Sequence, residues 1–178
     1  MANTTFQGPV ISKNGFYSTG PGNIVDADAN TSLTVASHAG RIVLNDAAGA
    51  VTYTLPAINA NSDSAVAGPG SDLNNLSNIG STFEIFSSIT KTGSLIVKVA
   101  NANDVMIGSA ILIDDTSDNT VGFETVATSD TITLNGTTTG GVTFSKIVCT
   151  AISSTQWKVE VTSACTGTPA TPFSATVS

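Results

Sequence analysis

The stretch that decides the fold is residues 142–161, which read VTFSKIVCTAISSTQWKVEV. Trp157, Val159 and Val161 alternate with Lys158 and Glu160, which is the two-residue period of a strand with one buried face. The segment before them is rich in β-branched residues, and Ser-Ser-Thr at 153–155 is typical of a turn. We therefore predict a β-hairpin of residues 142–152 and 156–161. The same alternation favours a core position for Trp157 over a sugar-binding one.

Working outward, a second pair of apolar segments lies at residues 41–44 and 50–55. The intervening Asn-Asp-Ala-Ala-Gly at 45–49 has the size and chemistry of a hairpin loop, so we predict a second hairpin. Val51, Tyr53 and Leu55 alternate with threonines, which predicts one buried and one solvated face. Pro56 lacks an N–H donor and is expected to help end the strand.

Further strands are predicted between and after these hairpins, with Asn-Gly and Gly-Gly steps supplying turns that need positive φ. About eight short strands separated by turn signals favour a sandwich or barrel. We expect an all-β fold, an antiparallel β-sandwich of jelly-roll-like type with an extended N-terminal arm. The additional predicted strands are residues 82–86, 95–99, 110–113, 121–127 and 131–134.

The chain is expected to consist of two parts. Residues 1–39 have little periodicity and several turn signals, and we interpret them as an extended arm, the alternative being a frayed terminus with a first edge strand. Residues 40–178 form the predicted β-sandwich domain. Within it, residues 57–80 are rich in Ser and Asn and contain Gly-Pro-Gly, which predicts a surface excursion. A subunit contact is one interpretation of this excursion.

Charge and hydropathy exclude several function classes. The 178 residues include 11% charged and 40% hydrophobic residues, a balance that argues against intrinsic disorder. Six Lys and Arg residues, scattered singly, stand against thirteen acidic residues, so neither nucleic acid nor an anionic membrane is an expected partner. The longest apolar stretch, residues 105–113, is too short to span a membrane. The start MANTT lacks a basic and an apolar signal region, so we expect synthesis in the cytoplasm.

No residue pattern predicts catalysis, a metal or a cofactor. His38 is the only histidine and lies in a turn-like context without a nucleophile motif, so we interpret it as structural. Cys149 and Cys165 are expected to be two reduced thiols, although spacing alone leaves a disulfide open. Acidic loop residues could bind Ca²⁺, but they lack EF-hand spacing and more often cap turns. These are Asp104, Asp114, Asp115, Asp118 and Asp130.

Several segments carry a resemblance to known proteins. Residues 1–10 (MANTTFQGPV) and Asn14-Gly15-Phe16 resemble the N-termini of small virion structural proteins of tailed phages, especially marine cyanophages. Residues 42–45 (IVLN), 47–49 (AAG) and 54–57 (TLPA) are similar to a recurring segment of that group. Two segments of the C-terminal part, residues 156–159 (QWKV) and 167–174 (GTPATPFS), are also similar to that group. The excursion at 57–80 departs from the shortest members of the group.

The resemblance implies a capsid decoration (cement) protein that binds the outside of the phage head, commonly as a trimer, and stabilises it. The expected partners are the major capsid protein and two further copies of this chain, and the expected location is the virion surface. On this expectation the arm contacts the capsid through apolar residues. The alternatives are a tail or head fibre knob that binds a host receptor or glycan, then a carbohydrate-binding module, then an enzyme. The candidate capsid-docking residues are Phe6, Pro9, Val10, Ile11 and Phe16.

Overall fold

The computed structural model describes residues 23–59, 77–117 and 119–177, and these form a nearly all-β structure. A single short helix accompanies the strands in the described residues. None of the described helical residues forms a helix with the length and apolarity needed to cross a membrane. The elements are β1 (Ile24–Asp26), β2 (Thr31–Ser32), α1 (Val35–His38), β3 (Ile42–Asn45), β4 (Val51–Thr54), β5 (Thr82–Ser87), β6 (Leu95–Lys98), β7 (Val105–Asp114), β8 (Asn119–Glu124), β9 (Thr131–Leu134), β10 (Val142–Ala151), β11 (Gln156–Cys165) and β12 (Phe173–Ser174).

The strands belong to two mixed sheets. The seven-stranded sheet has the order β1-β3-β5-β10-β11-β7-β8, and the five-stranded sheet has the order β12-β9-β6-β4-β2. The first six strands alternate between the two sheets. Within each sheet they pair in parallel, β1 with β3 and β3 with β5 in one, β2 with β4 and β4 with β6 in the other. Each parallel connection therefore crosses over through a strand of the other sheet.

The hairpin predicted from residues 142–161 is confirmed. Strands β10 and β11 pair antiparallel, with Ala151 opposite Trp157 and Cys149 opposite Val159. Both strands bury alternate residues, as the alternation predicted. Trp157 is fully buried and its ring meets Phe83 of β5 edge to face, with centroids 5.8 Å apart. An aromatic pair of this geometry stabilises a core beyond the area that it buries.

The hairpin predicted from residues 41–44 and 50–55 is wrong. Both segments are strands, and Val51, Tyr53 and Leu55 are buried as expected, but β3 and β4 lie in different sheets. The chain crosses from one sheet to the other between them. Alternation reports which face of a strand is buried and carries no information about its hydrogen-bonded neighbour. A short polar loop serves a crossing between sheets as well as it serves a tight hairpin.

The prediction that the sheets are antiparallel is also wrong, because half of the β pairs involve parallel strands. The parallel pairs join β1 to β3, β2 to β4, β3 to β5, β4 to β6 and β7 to β11. Such pairing departs from the jelly roll, whose strands are antiparallel. Four of these pairs result from the alternation of β1 to β6 between the sheets, since every return to a sheet arrives in the same direction.

Regular structure begins earlier than residue 40. β1 extends the seven-stranded sheet, β2 extends the five-stranded sheet, and Leu33 between β2 and α1 is buried. The Thr34 hydroxyl caps α1 by accepting from the Ser37 amide at 3.3 Å. Residues 24–39 therefore add to both sheets. The rest of the predicted arm, residues 1–22, lies outside the described residues.

The two sheets share one hydrophobic core. It combines buried residues of the seven-stranded sheet, such as Phe83, Ile85 and Ile147, with residues of the five-stranded sheet, such as Tyr53 and Val97. All five are fully buried. Because one core serves both sheets, neither sheet has an apolar interior of its own, and the described strands form a single packing unit.

Candidate interaction surface and buried polar junction

An exposed apolar strip lies on the outer face of the seven-stranded sheet. Ile107, Ile111 and Ile113 of β7 keep 43%, 47% and 39% of their surface exposed. They alternate along β7 with fully buried residues such as Ala110 and Leu112, so the pleat itself places the isoleucines outward. We call these three side chains the isoleucine strip.

Small residues flank two of the three isoleucines. Ile111 lies opposite Thr162 of β11 and Gly122 of β8, and Ile113 lies opposite Ala164 and Thr120. Ile107 lies opposite Lys158 of β11, whose long side chain borders the strip at that end. The strip is therefore least covered around Ile111 and Ile113, and an exposed apolar area can mark a contact with another macromolecule.

The remainder of this face carries charges. The Lys146 ammonium lies 3.8 Å from the Glu84 carboxylate, and the Lys158 ammonium lies 2.7 Å from that of Glu160. Between about a third and three fifths of each of the four side chains is exposed. Charged side chains therefore border the strip on its β11 side, and further exposed apolar side chains of the same sheet are Phe144 on β10 and Ile24 on β1.

Strand β8 is the edge of the seven-stranded sheet next to the strip. In the described part of the chain it pairs with β7 alone, so its other side presents backbone N–H and C=O groups. Its sequence NTVGFE contains neither Lys nor Pro, the residues that commonly block further pairing at an edge. An open edge and an apolar strip thus adjoin each other.

The sequence-predicted docking residues cannot be compared with this surface. All five candidates, Phe6, Pro9, Val10, Ile11 and Phe16, lie outside the described residues. The excursion at 57–80 is described only at its ends. There the Asn78 side chain accepts from the Asn59 amide at 2.8 Å and donates to the Ala57 carbonyl at 2.8 Å, and it thereby joins the two ends of the excursion.

The histidine and the two cysteines have structural surroundings. His38 ends α1, and its Nδ1 accepts from the Thr34 amide at 3.0 Å, which leaves the proton of a neutral ring on Nε2. Cys149 and Cys165 are both buried and are not joined by a disulfide. Burial raises the pKa of the Cys149 thiol to about 12.

The acidic loop residues act inside turns and loop junctions. Asp114 accepts from the Thr116 amide at 2.9 Å and from the Thr116 and Ser117 hydroxyls, and these bonds, that of Ser117 first, lower its pKa. Asp104 accepts from Ile58 N at 3.1 Å. Asp130 accepts from the Thr176 amide at 2.8 Å and so fixes the C-terminal segment. Asp118 lies outside the described residues.

One acidic group was not expected from the sequence. Carboxylate oxygens of Asp26, Asp28 and Asp46 lie within 4.8 Å of one another although the residues are up to twenty positions apart. A hydrogen bond between the Asp28 and Asp46 side chains lowers the pKa of Asp28 and raises that of Asp46. The three side chains are exposed, and we assign no ion to them. Their proximity follows from the parallel pairing of β1 with β3, which the sequence did not reveal.

Beneath this acidic group lies a buried polar junction. The Lys91 ammonium donates to the Asn45 side-chain oxygen at 2.8 Å and to the Ala47 carbonyl. Asn45 is fully buried at the end of β3, and Lys91 is only 3% exposed in the loop between β5 and β6. The Asn45 amide nitrogen donates to the Ala27 carbonyl at 3.3 Å.

Tyr53 of β4 completes the junction from the other sheet. Its hydroxyl donates to the same Ala27 carbonyl, and burial raises its pKa to about 12, partly offset by hydrogen bonding with Asn45. The junction therefore joins β1, β3, β4 and the loop after β5 through hydrogen bonds. Sequence reasoning missed it because Asn45 was placed in a predicted hairpin loop and Lys91 was counted only among the singly scattered basic residues.

Comparison with known proteins adds no identification: no family model, no curated protein and no solved structure matches this chain.

Proposed function

We propose that this chain is a virion structural protein of a tailed phage, namely a capsid decoration (cement) protein that binds the outside of the head as a homotrimer and stabilises it. The observation that carries the proposal is the isoleucine strip beside the open edge of β8. An exposed apolar surface with an available edge strand suits a protein that works by assembly.

Two surfaces have different roles in the proposal. The isoleucine strip and β8 form the contact between protomers, with Ile111 and Ile113 at its apolar centre and the Lys158–Glu160 pair at its rim. Residues 1–22 belong to the capsid-docking arm, with Phe6, Pro9, Val10, Ile11 and Phe16 contacting the major capsid protein. A trimer carries three arms, so weak single contacts combine through avidity. The two sheets are the layers of a β-sandwich that holds both surfaces.

The sequence resemblance supports this proposal over a fibre knob. The resembling segments include the N-terminal residues and residues of strands β3 and β4, and the proteins that they resemble are small virion structural proteins of tailed phages. The sequence contains no fibrous or coiled-coil segment of the kind that a fibre shaft would need. The charge-poor composition fits a contact that tolerates salt, since few ion pairs are available to be screened.

Deletion of residues 1–16 tests the arm. We expect the shortened chain to remain trimeric by light scattering and to lose binding to heads assembled without this protein, measured by co-sedimentation. A shortened trimer that still saturates the heads would show that the arm assignment is wrong. Binding of the intact trimer to host cells or glycans, with none to heads, would favour the fibre knob instead.

The double substitution Ile111→Thr and Ile113→Thr tests the trimer contact. Threonine keeps the β-branched shape and removes apolar surface, so we expect a folded monomer. Ile24→Thr is the matched control, because Ile24 is 57% exposed on β1 at the opposite edge of the same sheet. The control is expected to remain trimeric, and a double variant that also remains trimeric would overturn the assignment of the strip.

A further inference from the structure

We propose that Lys91 and Asn45 are the partners of an intramolecular isopeptide bond, in which the lysine amine replaces the side-chain amide nitrogen of the asparagine and ammonia is released. The bond would join the end of β3 to the loop between β5 and β6. It would form whether or not the chain binds a capsid, since every group required belongs to one protomer.

The geometry brings the two reacting groups together. Nζ of Lys91 lies 2.8 Å from Oδ1 of Asn45, so the amine is in contact with the carboxamide whose carbon it would attack. Both residues are buried, with 3% and 0% of their surfaces exposed. Reaction between groups held in contact avoids the entropy cost of an encounter between two free molecules. Burial also keeps out water, the competing nucleophile.

The backbone around Lys91 fixes the position of its side chain. The Lys91 amide donates to the Gly141 carbonyl at 2.8 Å. Gly136 packs so closely that a Cβ there would lie 1.9 Å from the Lys91 carbonyl oxygen, and a Cβ on Gly141 would lie 3.2 Å from Lys91 Cγ. The glycine turn after β9 thus encloses the stem of Lys91 and leaves its amine directed at Asn45.

The charge of Lys91 gives the reaction a driving force. The two acceptors of its ammonium, Asn45 Oδ1 and the Ala47 carbonyl, are both neutral. Among the described residues the ion pairs are Lys146 with Glu84 and Lys158 with Glu160, so this buried ammonium has no carboxylate within ion-pair distance. A buried charge without a direct counter-ion is costly, and conversion to a neutral amide removes it.

Burial also favours the reactive form of the amine. Burial lowers the pKa of Lys91, and the negative charge of Asp28 partly opposes this effect. Asp28 is positioned beside the junction because its Oδ1 accepts from the Ala47 amide at 3.1 Å, and the carbonyl of the same residue accepts from Lys91.

The step balances without an oxidant or a reductant. The neutral Lys91 amine adds to Cγ of Asn45, and a bond forms between Nζ and Cγ. The bond between Cγ and Nδ2 then breaks, and Nδ2 leaves as ammonia after receiving one proton that Nζ gives up. The proton that the lysine ammonium loses at the start departs with the ammonia as ammonium. A primary amide and an amine have become a secondary amide.

Protease digestion of the full chain tests the bond. The chain contains three glutamates, Glu84, Glu124 and Glu160, so cleavage after glutamate separates residues 1–84, which contain Asn45, from residues 85–124, which contain Lys91. We expect the two fragments from denatured protein to stay joined, with a mass one ammonia below their sum. Complete separation of the fragments from folded, long-incubated protein would overturn the proposal.

Two variants separate this bond from other losses of ammonia. Asn14-Gly15 and Asn135-Gly136 can lose ammonia by cyclising on themselves, but that reaction joins no fragments. Lys91→Met keeps the apolar stem and removes the nucleophile, so its fragments should separate. Lys158→Met, at an exposed position, should leave them joined. Joined fragments in the Lys91→Met variant would place the link at another residue and overturn the assignment.

Discussion

At the scale of the residue, glycine decides how closely the loops can pack. Gly136 has φ of 78°, and a Cβ on it would meet the Lys91 carbonyl oxygen at 1.9 Å. Gly40 has a similar φ of 70°, but nothing lies within 4 Å of its Cβ position. A side chain would therefore strain the backbone at both Gly40 and Gly136. Only at Gly136 would it also collide with a neighbouring atom.

We expect Gly136→Ala to destabilise the protein more than Gly40→Ala does. Positive φ alone costs about 1–3 kcal/mol in each variant, and the collision at Gly136 forces the turn to move as well. Denaturant unfolding of the two variants and the parent measures both losses of free energy. Equal losses would show that the turn after β9 relaxes without cost and that the close approach to Lys91 is unimportant.

At the scale of the element, the ends of the excursion at 57–80 already lie together. The Asn78 backbone amide donates to the Asn59 carbonyl at 3.0 Å, and the Asn78 side-chain oxygen accepts from the Asn59 backbone amide. Asn78 is only 7% exposed, so these bonds are sheltered from water. The strands on either side, β4 and β5, belong to different sheets and receive their partners elsewhere.

We expect that residues 61–76 can be replaced by a short Asn-Gly link without loss of the fold. Closure of a shorter loop costs less chain entropy, so the melting temperature should stay the same or rise slightly. Circular dichroism and thermal unfolding measure the outcome. The companion variant Asn78→Ala, which leaves the excursion in place, should lower stability by about 1–3 kcal/mol because it removes buried hydrogen bonds. Unfolding of the excised chain would show that the excursion itself contributes to the core.

The limits of prediction from sequence are also visible at this scale. Residues 142–161 were predicted correctly because both strands of the hairpin are adjacent in the chain and their alternation is regular. Residues 41–55 were predicted as strands with the correct buried face, yet with the wrong partners, because pairing depends on β1, β5 and β6, which are distant in sequence. The junction of Asn45 with Lys91 and the proximity of Asp26 to Asp46 depend on that same distant pairing.

At the scale of the whole molecule, one core holds groups from both sheets that resist ionisation. Cys149 of the seven-stranded sheet and Tyr53 of the five-stranded sheet are fully buried, and burial raises each pKa to about 12 from ordinary values of 9.0 and 10.0. In the unfolded chain both groups ionise at their ordinary values. The unfolded state therefore binds fewer protons than the folded state at alkaline pH.

We expect stability to be unaffected by these groups below pH 9 and to fall as pH rises from 9 towards 12. Since the core is shared, both sheets should unfold together, and Trp157 fluorescence and far-ultraviolet circular dichroism should report the same transition. The pKa of Cys165 is also raised from 9.0, chiefly by burial, so both thiols ionise first in the unfolded chain. The double variant Cys149→Ala and Cys165→Ala should therefore begin to lose stability near pH 10. A double variant whose stability still falls from pH 9 would contradict the role of the thiols.

The alternation of β1 to β6 between the sheets has a mechanical consequence. A pull on the chain before Asn23 acts first on β1, which is held to β3 by a three-residue parallel pairing. Once β1 yields, tension passes through β2 and α1 to β3, which lies between two strands of its sheet in the intact molecule. Unravelling would then meet Asn45 and its contact with Lys91. In a protein tethered by its N-terminal segment, β1 would thus detach at low force. Further unfolding would be resisted at the contact of Asn45 with Lys91.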